Sequence, residues 1–332
     1  MIRDFENLRK RIFNIKSSND FREASLQIFN YQFDNNIVYH DFIISLGKIP
    51  SEVRTPADIP FLPVEFFRNH KIVSGNLPVE MVFESSGTTG LAPGKHFIND
   101  LSLYEESFLK SFRLFYGEPE NFLITALLPS YTESKGSSLV YMADNLIRRS
   151  QYPDSGFYKS NFEDLIRVLN KARKEKVRIL LLGVSFALVD LAENRSPDLS
   201  GVIVMETGGM KGRRKELTRY ELHGILREKL NISSVHSEYG MTELLSQAYS
   251  KGDGIFYCPP WMKIFIRDPM DPLSLITEPG QTGGINIIDL ANINSCSFIA
   301  TSDLGKVHDD GGFEVIGRFD NSDIRGCNLM VE

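Results

Sequence analysis

Long apolar runs are scarce in this 332-residue chain. The longest, VRILLLGVSFALVDLA at 177–192, is too short and too interrupted to cross a bilayer, and it reads as a buried strand running into a helix. The opening MIRDFENLRKRIF is charged throughout and lacks the apolar centre of a signal peptide. Cysteine is rare. Cys258, Cys296 and Cys327 are odd in number and far apart, so they form neither a disulfide ladder nor a zinc pattern. Basic residues are not in excess: 37 Lys and Arg stand against 43 Asp and Glu, a net charge of −6, which argues against a nucleic-acid partner. Repeats and low-complexity segments are absent, and the 25 glycines and 15 prolines are spread along the chain. The expectation is a globular protein without a membrane span or nucleic-acid partner, in a reducing, cytoplasmic setting, its composition also compatible with an oligomer.

What is present has a definite order. Residues 1–47 carry apolar positions at helical spacing in FENLRKRIFNI and FREASLQIFNYQF, with Asn19 and Asp20 placed to cap the second run. The proline-punctuated stretch at 49–67 predicts an irregular connection. From about 78, short apolar runs (MVFE, NFLITALLP, VRILLLGV, GVIVMETGG, NISSVHSEYG) alternate with helix-like segments, the texture of an α/β domain with a largely parallel sheet. After about 250 the runs are joined by Gly, Asp and Pro turns with little helix between them, which predicts a mostly antiparallel β subdomain. The reading is a helical and irregular region at 1–78 packed on the core, an α/β core at 79–250, and a β-rich subdomain with a tail at 251–332.

Four motifs carry chemistry. In SSGTTG, Ser85, Ser86, Gly87, Thr88, Thr89 and Gly90 follow a strand-like run, and their backbone N–H groups can fold around an anion with hydroxyls as further donors. Lys95 beyond the loop supplies a point charge for a phosphate. Taken alone, a surface loop is an equal reading, and the Walker pattern is absent. YGMTE places Tyr239, Gly240, the hydroxyl of Thr242 and the carboxylate of Glu243 together; a phosphate suits the hydroxyl, and a magnesium ion held by substrate phosphates suits the carboxylate. TSDLG puts Asp303 in a turn, where it can accept two hydrogen bonds from a ribose diol. GRFD then ends the β subdomain with Arg318 and Asp320.

In this order the motifs resemble those of the adenylate-forming superfamily of acyl-CoA ligases, luciferases and peptide-synthetase adenylation domains. The resemblance implies the fold of that superfamily's large N-terminal domain, mainly parallel sheets with helices plus a β subdomain, with ATP and Mg2+ as cofactors. It assigns SSGTTG to phosphate, YGMTE to AMP with Glu243 on the metal, ETGGMKG (with Gly208 and Gly209) to adenine, and Asp303 and Arg318 to the nucleotide. His236, just before SEYG, lines the acyl pocket, orients a carbonyl, or is structural. Residues 127–142 are expected to contribute to that pocket.

The chain stops twelve residues after Asp320, which leads to the expectation that the superfamily's mobile C-terminal domain and its lysine are lacking. The chain is similar to the acyl-protein synthetases of the bacterial bioluminescence fatty-acid reductase system, in an IPFLPVEFF-like stretch before the glycine loop and an ending soon after RGC. That resemblance implies activation of a carboxylic acid, a fatty acid in those proteins, transfer to Cys327, and passage to a partner reductase or acyl carrier. Arg325 stands two residues away, where its charge favours the thiolate. A buried packing cysteine in CNLMV is the alternative for Cys327. Two other readings stay open: an acyl-CoA ligase of the phenylacetate type, and a non-catalytic adenylate-binding scaffold.

Overall fold

The computed structural model describes residues 2–85, 92–129, 132–134, 136–159, 161–208 and 217–319. Seven predicted site residues, Ser86, Gly87, Thr88, Thr89, Gly90, Gly209 and Cys327, lie outside them, as does Asp320. The chain forms two units, one of residues 1–66, 72–75 and 260–332, the other of residues 67–71 and 76–259.

In the first unit, helices Ser18–Asn35 and Ile37–Ser45 meet at Asn36, which ends one and starts the next: its side chain accepts from the Tyr39 amide at 3.0 Å. The cap of the first of these helices is Ser17 rather than Asn19 or Asp20. Ser17 Oγ accepts from the Asp20 amide at 3.1 Å, while Asp20 is the third helical residue and accepts in return from the Ser17 amide at 3.0 Å. This reciprocal capping box satisfies two amides that the first helical turn leaves without partners, and the backbone donors lower the Asp20 carboxyl below its ordinary range.

Strands Met262–Arg267, Gly283–Asp289, Phe298–Val307 and Phe313–Arg318 pair antiparallel in sequence order, with Leu275–Ile276 on the outer side of the first. Leu62–Pro63 pairs parallel to the start of Phe298–Val307, on the edge that the later part of that strand gives to Phe313–Arg318. The amino-terminal helices share the unit of these strands. Gln32, fully buried, donates to the carbonyls of Asn292 and Ile293 at 3.0 and 2.9 Å and accepts from the Ser297 amide at 2.9 Å. Asn36 Nδ2 donates to the Ser295 carbonyl at 2.9 Å. A linear division at 78 and 250 could not foresee this, because the pairing joins residues some 260 positions apart. Gln32→Ala strands three buried backbone groups and opens a cavity. We expect it to destabilise the protein by about 2–4 kcal/mol, read as a lowered denaturant midpoint.

The second unit is built on a sheet in the order Gly156–Phe157, Phe122–Leu127, Arg178–Val184, Ile203–Thr207, His236–Tyr239, Ala248–Ser250, parallel except for the last strand. Helices Leu101–Tyr116, Ser138–Arg149, Phe162–Lys174, Ser185–Arg195 and Arg219–Leu230 connect or flank the strands. The run RILLLGV is buried from Ile179 onward and passes directly into helix Ser185–Arg195. Unbroken apolar character is what a parallel strand covered on both faces requires, and each fully buried leucine contributes about 2 kcal/mol. Among the described residues, no helix is long and apolar enough to cross a membrane.

Candidate active site

Open α/β sheets hold ligands beyond the carboxyl ends of their parallel strands, and in the second unit the described residues of three predicted motifs, Ser85, 206–208 and 239–243, are at or near such ends. A hairpin, Met81–Glu84 with Lys95–Ile98, pairs Glu84 with Lys95 and Phe83 with His96. Its inner end is closed by two bonds: the Ser85 amide donates to the Gly94 carbonyl at 2.9 Å, and the Gly94 amide donates to Ser85 Oγ at 2.7 Å. Residues 86–91, which lie outside the described residues, belong to the segment between these partners.

Gly94 is a place where only hydrogen fits. A Cβ there would stand 2.5 Å from Glu243 Oε1 and 3.4 Å from Ser85 Oγ, so the missing side chain leaves room for the Glu243 carboxylate beside the base of the loop. Glu243 is 7% exposed. His96, fully buried, donates from Nδ1 to the Thr242 carbonyl at 2.8 Å, so Nδ1 carries a proton. The hairpin thereby holds both Thr242 and Glu243. Lys95 points elsewhere: its ammonium lies 3.4 Å from the Glu84 carboxylate, both half exposed, a pair that solvent weakens.

Behind these residues two parallel strands end in carboxylates. Glu206 and Thr207 close Ile203–Thr207, and Glu238 lies opposite Thr207 in the next strand. Thr207 Oγ1 donates a short hydrogen bond to Glu238 Oε2. Glu206 accepts from Ser185 Oγ at 3.1 Å and lies 3.6 and 3.7 Å from Arg219 and His223. Burial raises the Glu206 carboxyl, but the bond with His223, the Arg219 charge and Ser237 outweigh it and leave it below its ordinary range. Glu238 goes the other way, raised to about 7 by burial and by the Glu206 charge against the opposing bond from Thr207. Ser185 Oγ also donates to the Gly208 carbonyl at 2.6 Å, holding the start of the ETGG turn. The sequence reading missed Glu206, Glu238 and Gly94. A signal was there for Glu206, since a carboxylate closes the otherwise apolar run VIVMET, whereas Glu238 stands in the polar stretch HSEYG.

Tyr239 is buried and its hydroxyl meets Met241 Sδ at 3.8 Å, while Gly240 follows at the strand end. His236 begins the same strand, at the opposite end from Tyr239 and Gly240, with Nδ1 3.1 Å from the Tyr116 hydroxyl. Burial and the Lys251 charge push it down to about 4, so the ring is neutral at physiological pH. A cavity of about 450 Å3 is lined by Phe115, Tyr249, Lys251, Asp253, Ile255 and Tyr257, none of them a sequence candidate.

In the first unit, Asp303 is not in a turn. It lies within the ten-residue strand Phe298–Val307, paired with Arg318 across the sheet, and the ladder shifts register immediately after Leu304. The Gly at 305 suggested a turn, whereas it accompanies a bulge that leaves the strand running. Asp303 Oδ1 accepts from Arg318 Nε at 3.1 Å, and the Asp303 amide donates to Thr301 Oγ1 at 3.1 Å. Asp303 is buried, whereas the Arg318 side chain is 76% exposed. Beneath them the buried Arg267 donates to the carbonyls of Ile285 and Thr301 and to Asn286 Oδ1.

No family model matches the chain. A long-chain-fatty-acid–luciferin-component ligase of Vibrio harveyi is 23% identical to it over 91% of this chain and 85% of the relative. ATP-bound MatB from Rhodopseudomonas palustris superposes with a TM-score of 0.54 at 16% identity, over 81% of this chain and 52% of MatB. o-Succinylbenzoate CoA synthetase from Bacillus subtilis gives 0.50 at 20% identity, over 73% and 50%. The chain thus spans about half the length of the solved structures it matches. It has the fold of the large N-terminal domain of adenylate-forming enzymes, and its sequence is similar to that of a long-chain-fatty-acid–luciferin-component ligase.

Proposed function

We propose that the protein activates a carboxylic acid with ATP and Mg2+, forming an acyl-adenylate and pyrophosphate, and then transfers the acyl group to Cys327. The carrying observation is the convergence of Ser85, Thr242 and Glu243 at the carboxyl end of the parallel sheet, with Gly94 kept bare beside the carboxylate. A carboxylate oxygen of the acid forms a bond to the α-phosphorus as the bond to the β-phosphate oxygen breaks. SSGTTG would hold the departing oxygens with backbone N–H groups, which stabilises the charge that develops on them. Thr242 would hold the AMP phosphate, Gly208 and Gly209 would face adenine, and Asp303 with Arg318 would bind the ribose.

Glu243 fits a magnesium ion. Among the described residues there is no cluster of three or more acidic, His or Cys side chains that could cage a metal. Magnesium is commonly held by one or two carboxylates together with substrate phosphates. Bound so, the ion would neutralise charge on the triphosphate.

In the second half-reaction the Cys327 thiolate attacks the acyl carbonyl and AMP leaves, giving a thioester. A partner reductase or acyl carrier then takes the acyl group. The similarity to a fatty-acid ligase favours a fatty acid as substrate. Intact-mass spectrometry after incubation with ATP, magnesium and a mixture of acids tests the whole reading. The expected result is a mass increase equal to one molecule of the acid minus one water, mapped to Cys327 and removed by hydroxylamine. Exchange of pyrophosphate into ATP without any covalent adduct, and with acyl-CoA formed when coenzyme A is added, would instead establish a CoA ligase.

A further inference from the structure

The buried carboxyl of Glu238 has no part in the reading above, yet it lies between two of its loops. Thr207 and Gly208 lead into the ETGG turn, and Tyr239 and Gly240 lead into YGMTE. The Thr207–Glu238 hydrogen bond joins the two strands at the point where both loops leave the sheet. The other carboxylate oxygen turns back under the second loop: a Cβ on Gly240 would stand 2.4 Å from Glu238 Oε1 and 3.5 Å from Gln247 Cγ. Gln247 is 3% exposed, and its Oε1 has no hydrogen-bond partner. The Glu238 carboxyl and the aliphatic stem of Gln247 pack against the same glycine.

We propose, resting on the nucleotide reading above, that Glu238 is a positioning residue whose carboxyl, bonded to Thr207 and lying beside Gly240, sets the YGMTE loop against the ETGG segment for nucleotide binding.

The titratable groups coupled to it among the described residues are Glu206 and three tyrosines. Glu206 carries a negative charge on the neighbouring strand, fixed by Arg219 and His223. Tyr104, Tyr116 and Tyr249 face Glu238 from the Leu101–Tyr116 helix and the last strand, and all three hydroxyls are held above their ordinary range by burial first and by this carboxyl second. Ionising Glu238 would put a second negative charge into this buried pair. It would also oppose the polyanion that the adjoining loops are to receive, because charge is poorly screened in the interior. With the carboxyl raised to about 7, the switch falls in the physiological range.

The test is the dissociation constant of Mg-ATP, measured by calorimetry at pH 6, 7 and 8 on the full chain and on Glu238→Gln, which keeps the neutral shape but cannot ionise. Titration of the ATP terminal phosphate is common to both proteins and cancels in the ratio. The ratio of wild-type to variant dissociation constants is expected to rise about tenfold from pH 6 to pH 8, as follows for one ionisation near 7. Thr207→Val removes the bond that lowers the carboxyl, so the same rise should move to higher pH. A structural role alone would weaken binding in Glu238→Gln by a constant factor, and a pH-independent ratio overturns the proposal. If the wild type binds Mg-ATP but no acid supports pyrophosphate exchange, the activation reading falls while the ratio still judges Glu238. A wild type that fails to bind Mg-ATP overturns both.

Discussion

Glu243→Gln is expected to lower ATP–pyrophosphate exchange by about 100-fold or more, with little change in the thermal midpoint. The reasoning is chemical. Glutamine fills the same volume but presents a neutral amide to the metal and loses the charge that a hard cation requires. Electrostatic groups that act on a developing pyrophosphate charge are worth about 10²–10³ in rate when one is removed. The prediction has an independent arm that touches no charged residue. Gly94→Val would set a Cβ 2.5 Å from Glu243 Oε1 and 3.4 Å from Ser85 Oγ, displacing the carboxylate or the base of the hairpin. We expect a loss of exchange of the same order, again measured at saturating magnesium. Glu243→Gln retaining exchange within about threefold would remove this carboxylate from the metal site.

Cys327→Ser should separate the two half-reactions. Pyrophosphate exchange reads only formation of the adenylate, so its rate should be unchanged, while the thioester adduct is lost completely. A serine hydroxyl is a far weaker nucleophile at neutral pH than a thiol that can reach its thiolate. The other cysteines are not substitutes on physical grounds in one case: Cys296 is fully buried, donates to the Phe298 carbonyl at 3.4 Å, and burial pushes its thiol up to about 12. Cys258 is only partly buried, and Cys258→Ser supplies the control. It should keep the adduct. An adduct that persists in Cys327→Ser, or that maps to Cys258, would dismiss the terminal acceptor.

The parallel sheet was readable because its strands are apolar runs bounded by turn residues, and the motifs sit at strand ends where periodicity stops. The antiparallel strands after 260 were readable for the same reason. Asp303 shows where that logic fails: glycine at 305 marks a bulge, and a bulge and a turn use the same residue types. Glu206 and Glu238 were passed over because each looks like a polar residue ending a strand. Their partnership depends on which strands are neighbours and in what register, which is tertiary information. The closeness of Gly94 to Glu243 is of the same kind, since nothing local links positions 149 residues apart. Gln32 and its backbone partners are the extreme case.

That last pairing bears on the order in which the chain can be made and folded. The second unit is almost continuous in sequence, so residues 76–259 can assemble as soon as they have left the ribosome. The first unit is split around it. Its helices emerge about 260 residues before the carbonyls that satisfy Gln32 and Asn36, which belong to residues 292–295. Domains generally fold as units during synthesis at about 5–20 residues per second, so these helices wait on the order of tens of seconds with an aromatic face uncovered. Phe29 and Tyr39 meet Phe298 only then, at centroid distances of 6.2 and 5.9 Å. Until then the aromatic face of these helices is transiently exposed apolar surface of the kind that makes a growing chain prone to association.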